Sequence, residues 1–452
     1  MKRASPSSGG NQRKKDSPQQ EKGGKRKRPI KRPRASAAPA PLRFPSIAGV
    51  TFDKTQRRWG PAKSNHDLLE LPPEVWSLVF ARLRHDPAAL VRASHVSRAW
   101  RSLALGELRR WTFAADGEGR PAGLESQLQF LRELCPRVEA IHVRHDGFDM
   151  ADLHHLLNGL PRVHTLHLVV SPLTLAKLIN DDSDDGSDDD GEGDDDETEE
   201  TMVPGSIRSL ELTFVNLLPT SRLERLWRRL PRRLDALRLN GLRSPPDRLF
   251  GRLRELTKLH MKSCFAVDDA VMPRLPRSLT NLSVQGARVT DRGVTALTTT
   301  LPNLKKLDLS RCVNVTQESI GQLPQGLETL KLAFCQHIRD DALRKLPPGL
   351  RKLNCWGCGN ITNAGVRALP AGLEELTLSF CKVDDEGIAQ LPRGLKRIVI
   401  QYCFRVTLKG LEENLPARVR SVHMGSRDST GDLSAYPRLS RLLTDHPLPF
   451  LS

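Results

Sequence analysis

The chain has 452 residues, a formal net charge of +17 and eight cysteines. This length allows two or three domains, or one small domain followed by a repeat array. Because no apolar run approaches about 18 residues and the N-terminus lacks an apolar signal segment, neither secretion nor a membrane span is predicted. Eight cysteines in so long a chain favour a reducing compartment over a disulfide framework.

Residues 1–62 are rich in Lys, Arg, Pro, Ser and Gly and show no core-forming pattern, which predicts a disordered basic tail. Its densest part is KRKRPIKRPR, at residues 25–34, a pattern typical of a nuclear-import signal or of non-specific contact with nucleic acid. A solubilising tail without a partner is the alternative, so the predicted location is the nucleus, the cytoplasm or both. The candidate import residues are Lys25, Arg26, Lys27, Arg28, Lys31, Arg32 and Arg34.

Residues 63–110 predict a small unit of three helices. Val75, Val79 and Leu83 recur at helical spacing, and Asp86-Pro87 opens a second helix that carries Leu90. A unit of about forty residues is too small to be comfortably stable alone, so its apolar stripe should be covered by a partner. The candidate binding residues are Leu71, Pro72, Val75, Val79, Leu83, Leu90, Val96 and Trp100.

Residues 111–424 predict a solenoid of leucine-rich repeats, weak at first and clear after about 230. The leucines at 304, 327, 350, 373 and 395 are 23, 23, 23 and 22 residues apart. In one unit Leu353 and Cys355 alternate as in a short strand, and Thr362 can cap a short helix that buries Val366 and Leu369. The predicted fold class is therefore α/β, a leucine-rich-repeat horseshoe.

Two segments depart from the repeats. Residues 181–203 predict a disordered acidic insert, because residues 181–200 hold fourteen acidic and no basic side chains. Residues 425–452 follow the last repeat and predict a C-terminal cap and tail.

Six units place a cysteine at one position: Cys264, Cys312, Cys335, Cys358, Cys381 and Cys403. Cys355-x-x-Cys358 raises the alternative of a metal site or a reactive thiol. No second cysteine pair or paired histidine completes a zinc set, so buried cysteines acting as small apolar residues are favoured, with no metal and no cofactor.

Three stretches of the helical unit resemble the F-box motif: Leu71-Pro72-x-Glu74-Val75, Leu83-x-x-Asp86-Pro87 and Val96-Ser97-x-x-Trp100. The units that follow resemble the cysteine-containing leucine-rich repeats of F-box proteins in SCF ubiquitin ligases. That resemblance implies docking on the Skp adaptor and, through it, on cullin. The chain would then be a non-catalytic receptor for the protein to be ubiquitinated and degraded, and no P-loop or nucleophile elbow contradicts this.

The strand face is the predicted substrate-binding surface. Its candidate residues are Lys306, Lys331, Lys352 and Arg397, whose charges are expected to add along one groove and favour an acidic or phosphorylated segment, with Trp356 as an apolar anchor. Phe334 and Phe380, one position after Trp356 in their repeats, could equally pack at the turn. A nuclear repeat scaffold, or a protein associated with nucleic acid outside the ligase, is the alternative function.

Overall fold

The computed structural model describes residues 80–81, 83, 87–95, 104–113, 124–144, 148–179, 206–243, 246, 248–424 and 433–443. Its sheet has 13 parallel strands whose spatial order is their order in the chain. The predicted α/β repeat solenoid is thereby confirmed. The strands are β1 (Arg110–Phe113), β2 (Ala140–Val143), β3 (Thr165–Val170), β4 (Ser209–Phe214), β5 (Ala236–Asn240), β6 (Lys258–Lys262), β7 (Asn281–Ser283), β8 (Lys306–Asp308), β9 (Thr329–Lys331), β10 (Lys352–Asn354), β11 (Glu375–Thr377), β12 (Arg397–Val399) and β13 (Ser421–His423).

Helices connect successive strands in most of the described repeats. None of the helices within the described ranges is long and apolar enough to cross a membrane. Two 3-10 helices are also present, at Met272–Arg274 and Leu433–Ala435. The α-helices are α1 (Pro87–Ser94), α2 (Leu124–Leu134), α3 (Met150–Gly159), α4 (Pro172–Ile179), α5 (Thr220–Arg228), α6 (Asp291–Thr300), α7 (Gln317–Ile320), α8 (Asp340–Arg344), α9 (Asn363–Arg367), α10 (Asp385–Ala389), α11 (Leu408–Asn414) and α12 (Pro437–Leu442).

The fixed period of the sequence corresponds to the register of the sheet. Lys352 of β10 lies beside Thr329 on one side and Glu375 on the other, each 23 positions away. Leu353 is buried between Leu330 and Leu376. As predicted, the Thr362 side chain caps α9 by accepting from the backbone N–H of Ala364, and Val366 and Leu369 are buried.

A polar link joins neighbouring repeats on the helix side. The Asp340 carboxylate accepts hydrogen bonds from the backbone N–H and the hydroxyl of Thr362, at 2.8 and 2.7 Å. The aspartate at the start of one helix therefore holds the capping residue of the next. The same bonds join Asp269 to Thr290, Asp291 to Thr316 and Asp385 to Thr407, while Asn363 and Asp384 form a variant of the link.

Glycine makes room for this link. A Cβ atom on Gly365 would lie 2.4 Å from Asp340 Oδ1, and one on Gly387 would lie 2.4 Å from Asn363 Oδ1. Real Cβ atoms do not approach oxygen so closely, so a larger residue would displace the linking side chain. The glycine that follows the capping residue by three positions is thus part of the repeat.

One hydrophobic core runs through the described residues. It begins with Phe80 and Leu90 of the helical unit and ends with Leu439 of α12. Trp111 and Phe113 are buried in β1, directly after the helical unit. At the other end, the backbone N–H groups of Arg438 and Leu439 donate to the Glu412 carboxylate at 2.9 and 2.7 Å. The predicted basic tail and acidic insert lie outside the described residues.

Candidate protein-binding surfaces

The helical unit is described only in part. Leu83 is half-buried, and Leu90 of α1 is fully buried in the core shared with the repeats. A fully buried side chain can position α1 but does not itself present a surface. The other six candidate adaptor-binding residues lie outside the described ranges: Leu71, Pro72, Val75, Val79, Val96 and Trp100.

The strand face carries two parallel rows of outward positions in its late repeats. The first row holds Lys306, Lys352 and Arg397, together with Thr329 and Glu375. The second row holds Lys331, which lies beside Asp308 and Asn354. Lys331 lies in this second row because it follows its repeat leucine, whereas Lys306 and Lys352 precede theirs.

Two of the four candidate cations on the strand face are paired with carboxylates of neighbouring strands. Lys331 Nζ lies 3.7 Å from Asp308 Oδ2, and Lys352 Nζ lies 2.7 Å from Glu375 Oε1. Lys306 is exposed and Arg397 is half-buried. The four cations therefore lie in two rows, with Glu375 in the first and Asp308 in the second, and the expected summation of their charges along one groove stays a prediction.

A row of histidines on the early strands was missed by the sequence argument. His142 and His167 lie side by side with ring centroids 4.9 Å apart, and His167 Nε2 is 3.0 Å from Thr213 Oγ1. Burial, together with the charges of His167 and Arg110, lowers the pKa of His142 to about 4. Burial likewise lowers the pKa of His260 to about 4. These histidines share their row with Glu211 and Arg238. The available signal was that each histidine lies between two apolar strand residues, as His142 does between Ile141 and Val143.

Large aromatic side chains form what we call the aromatic ridge, defined as Phe334, Trp356, Phe380, Tyr402 and Phe404. Phe380 and Tyr402 stack with centroids 4.4 Å apart, and Trp356 lies 6.1 Å from Phe380. Phe404 is 82% exposed and Phe380 is 44% exposed. The rings therefore continue from one repeat to the next and remain open to solvent. The sequence analysis noted three of these residues, Phe334, Trp356 and Phe380, but not their continuity.

Three members of the ridge have a backbone conformation that favours glycine. Phe334, Phe380 and Tyr402 have φ of 60°, 59° and 57°, and the equivalent residues Gly286 and Gly357 have φ of 73°. A left-handed conformation costs a non-glycine residue about 1–2 kcal/mol. Ser263 and Arg311 share this conformation at the same position of other repeats, so it belongs to the turn of each repeat and does not by itself mark a site.

The cysteines are structural in the described repeats. All eight are free and buried, and each repeat thiol donates to a backbone carbonyl of an earlier repeat, as Cys358 Sγ does to Leu332 O at 3.1 Å. Burial raises the pKa of Cys312 to about 12, so its reactive thiolate form is suppressed. No cluster of three metal-ligating side chains occurs within the described residues.

Two protein-family models match separate segments of the chain. An F-box-like model matches residues 68–113, and a leucine-rich-repeat model matches residues 373–391. The chain therefore carries an F-box-like segment and, after it, leucine-rich repeats. No curated protein matched the chain in a separate search.

Solved structures that are similar to this chain include two complexes and one leucine-rich repeat-containing protein. The Rad7 and Elc1 complex of yeast has a TM-score of 0.46 and 17% identity, with 80% of this chain and 91% of that chain covered. The TLR13-ssRNA13 complex has a TM-score of 0.42 and 17% identity, covering 72% and 44%. The leucine-rich repeat-containing protein LegL7 from Legionella pneumophila has a TM-score of 0.39 and 12% identity, covering 70% and 89%.

Proposed function

We propose that this chain is the substrate-recognition subunit of an SCF-type ubiquitin ligase. The F-box-like segment would bind the Skp adaptor and, through it, cullin, while the repeats would hold the protein to be ubiquitinated. The observation that supports this most is the F-box-like match at residues 68–113, directly ahead of a 13-stranded repeat sheet. Ubiquitin transfer would be carried out by the partners, so the chain itself is not an enzyme.

The shared core gives this proposal a physical basis. Leu90 of the F-box-like segment and Trp111 of β1 belong to one continuous cluster of buried residues. A small helical unit anchored in this way can hold the repeats at a fixed position relative to the adaptor. Leu90 would hold α1 in place, and Leu71, Pro72, Val75, Val79, Leu83, Val96 and Trp100 would supply the adaptor contact.

The adaptor contact is tested by co-purification of the full-length chain with Skp and cullin. Replacing Leu71→Ala and Pro72→Ala together should abolish co-purification, because truncation removes apolar surface from the predicted stripe. Lys331→Glu with Lys352→Glu serves as the control and should retain Skp, since both residues lie on late strands. Undiminished Skp binding by the Leu71/Pro72 variant would exclude the ligase function.

The substrate is proposed to bind the strand face through Lys306, Lys331, Lys352 and Arg397, with Trp356 as the apolar anchor. An acidic or phosphorylated segment would compete with Asp308 and Glu375 for the lysines. Substrate capture by Lys331→Glu with Lys352→Glu is compared with that by Arg344→Glu with Arg367→Glu. The two helix-side arginines are also ion-paired, at 2.9 and 3.3 Å, so both double variants break two ion pairs.

Loss of capture only in the lysine variant would support the strand face. Equal loss in both variants would leave general charge attraction as the explanation.

A nuclear location is proposed from the basic cluster at residues 25–34. Deleting this cluster from a fluorescently tagged full-length chain should shift it from nucleus to cytoplasm. A full-length chain that is cytoplasmic from the start would instead favour a solubilising role or a nucleic-acid contact for the cluster.

A further inference from the structure

Exposed apolar side chains are confined to one edge of the sheet. Within the described residues, each large apolar side chain that is exposed lies at most five positions after the end of a strand. Because the strands are parallel, their carboxyl ends lie along the same edge. Contiguous exposed apolar surface on one side marks an interaction site. The residues are Leu173, Val215, Leu217, Phe265, Val313, Phe334, Phe380 and Phe404.

The same edge is basic around the aromatic ridge. Between the ends of β7–β12 and the capping residues of the helices that follow, the turns contain four basic side chains and no carboxylate. The guanidinium of Arg311 lies 5.1 Å from the centroid of the Phe334 ring. The acidic residues at the starts of the next helices are engaged elsewhere, as Asp341 is by Arg344 and Glu386 by Arg367. The four basic residues, all exposed, are Arg288, Arg311, Lys382 and Arg405.

The geometry of the rings favours a protein over a nucleic acid. A nucleobase that inserts between two rings needs them about 7 Å apart, twice the usual stacking distance of about 3.5 Å. Phe380 and Tyr402 are already stacked at 4.4 Å. The exposed parts of these rings can instead pack against the side chains of a polypeptide. The four basic residues, spread over six turns, can pair with a few carboxylates of the same polypeptide.

We propose that the aromatic ridge binds an extended acidic segment of a partner protein that also carries large apolar side chains. Its apolar side chains would lie against Phe334, Phe380 and Phe404, and its carboxylates would reach Arg311 and Arg405. Neighbouring strands are about 4.8 Å apart and an extended chain advances about 3.3 Å per residue, so about eight residues span the six turns. This site adjoins the strand face and shares Trp356 with it, but it does not depend on the ligase function.

The test uses the full-length chain and a fluorescein-labelled peptide of alternating glutamate and leucine, long enough to span the ridge. Fluorescence anisotropy should show at least tenfold weaker binding after Phe380→Gly with Phe404→Ser. Phe265→Ser is the matched control, because Phe265 and Phe404 both follow the repeat cysteine and both are exposed. Its affinity should stay within twofold of the unaltered chain.

A second measurement separates binding from folding. Glycine adopts the left-handed conformation of Phe380 without strain, so Phe380→Gly should leave the melting temperature unchanged or raise it. A fall in melting temperature that parallels the loss of binding would show that the ring is structural and would overturn the proposal.

Four further results would overturn the proposal. The first is that the ridge variant binds the acidic peptide as tightly as the unaltered chain does. The second is that the unaltered chain binds a peptide with lysine in place of glutamate equally well. The third is tighter binding of single-stranded oligothymidylate than of the acidic peptide, at the same ridge residues. The fourth is a tenfold gain in peptide affinity on deletion of residues 181–200, which would make the chain's own acidic segment the occupant.

Discussion

Neighbouring repeats are held together differently in the early part of the sheet, β1–β6, and in its late part, β7–β13. Strands β1–β6 have four to six residues each, whereas β7–β13 have three residues each. The late repeats compensate with the aspartate–threonine link, which joins Asp340 to Thr362 and its equivalents. Long strands hold repeats together by backbone hydrogen bonds and tolerate variable spacing. Most of the short strands are supplemented by a side-chain link that works only at a fixed period.

The largest effect is expected from removing one link. Asp340→Ala should lower the free energy of unfolding by about 3 kcal/mol, because two hydrogen bonds to a charged acceptor are lost and a backbone N–H loses its partner. Urea unfolding of the full-length chain measures this. Asp149→Ala is the early counterpart, since Asp149 caps only its own helix through the N–H of Asp152. It should cost about 1 kcal/mol, and equal costs would remove the proposed difference between the two parts.

A smaller effect is expected from crowding the link. A Cβ atom on Gly387 would lie 2.4 Å from Asn363 Oδ1 and 2.6 Å from a methyl group of Val383. Gly387→Ala should therefore destabilise the chain by about 2 kcal/mol, as overpacking does elsewhere. Gly321→Ala is the matched control, because the nearest atom there is Cδ of the flexible Lys345 side chain at 3.2 Å. Thermal unfolding that ranks the two variants equally would contradict the role of glycine in the link.

The smallest effect concerns pH and should appear first in the early strands. The folded pKa of His142 is about 4, below the unfolded value of about 6.5. The unfolded chain then takes up protons first, so stability is lost as pH falls from about 6.5 towards 4. In the late part, burial raises the pKa of Asp291, but hydrogen bonds from Ser319 and Thr316 lower it by more, so the folded pKa lies below the usual value. The stability that Asp291 contributes is therefore present above its unfolded pKa of about 3.9 and is lost only as the pH falls below that value.

Hydrogen exchange at pH 7.5 and pH 5, corrected for intrinsic rates, measures this difference. Protection of β2 and β3 should fall before that of β8 and β9, and His142→Gln with His167→Gln should reduce the change. Simultaneous loss of protection in both parts would show that the sheet opens as one unit.

The late repeats were predictable because each position of the repeat has one structural role. Leu353 and Cys355 fill the core, Thr362 caps a helix, and the same types recur at the same spacing. The early repeats were harder because helices of different length separate their strands, so no single period connects Arg110 to Ala140 and Thr165. The row that holds His142, His167 and His260 was still visible, because each of these residues lies between two apolar strand residues.

The binding surfaces were less predictable than the fold. Lys331 lies one row away from Lys306 and Lys352, a difference that becomes visible only when each lysine is compared with its neighbouring leucine. The pairing of Lys352 with Glu375 depends on side-chain conformations that spacing does not determine. The left-handed conformation of Phe380 was indicated only by the glycines at the same position of other repeats, Gly241, Gly286 and Gly357, since aromatic residues seldom adopt it.

The link between repeats has a direction, and this constrains how such a gene can change length. Each aspartate serves the repeat that follows, and each threonine is served by the repeat that precedes it. Duplicating in frame the unit that holds both Thr290 and Asp291 keeps every donor matched to an acceptor, whereas a shorter insertion within that unit separates them. A late array built on this link can therefore lengthen during evolution by whole repeats, at units that carry both members of the link.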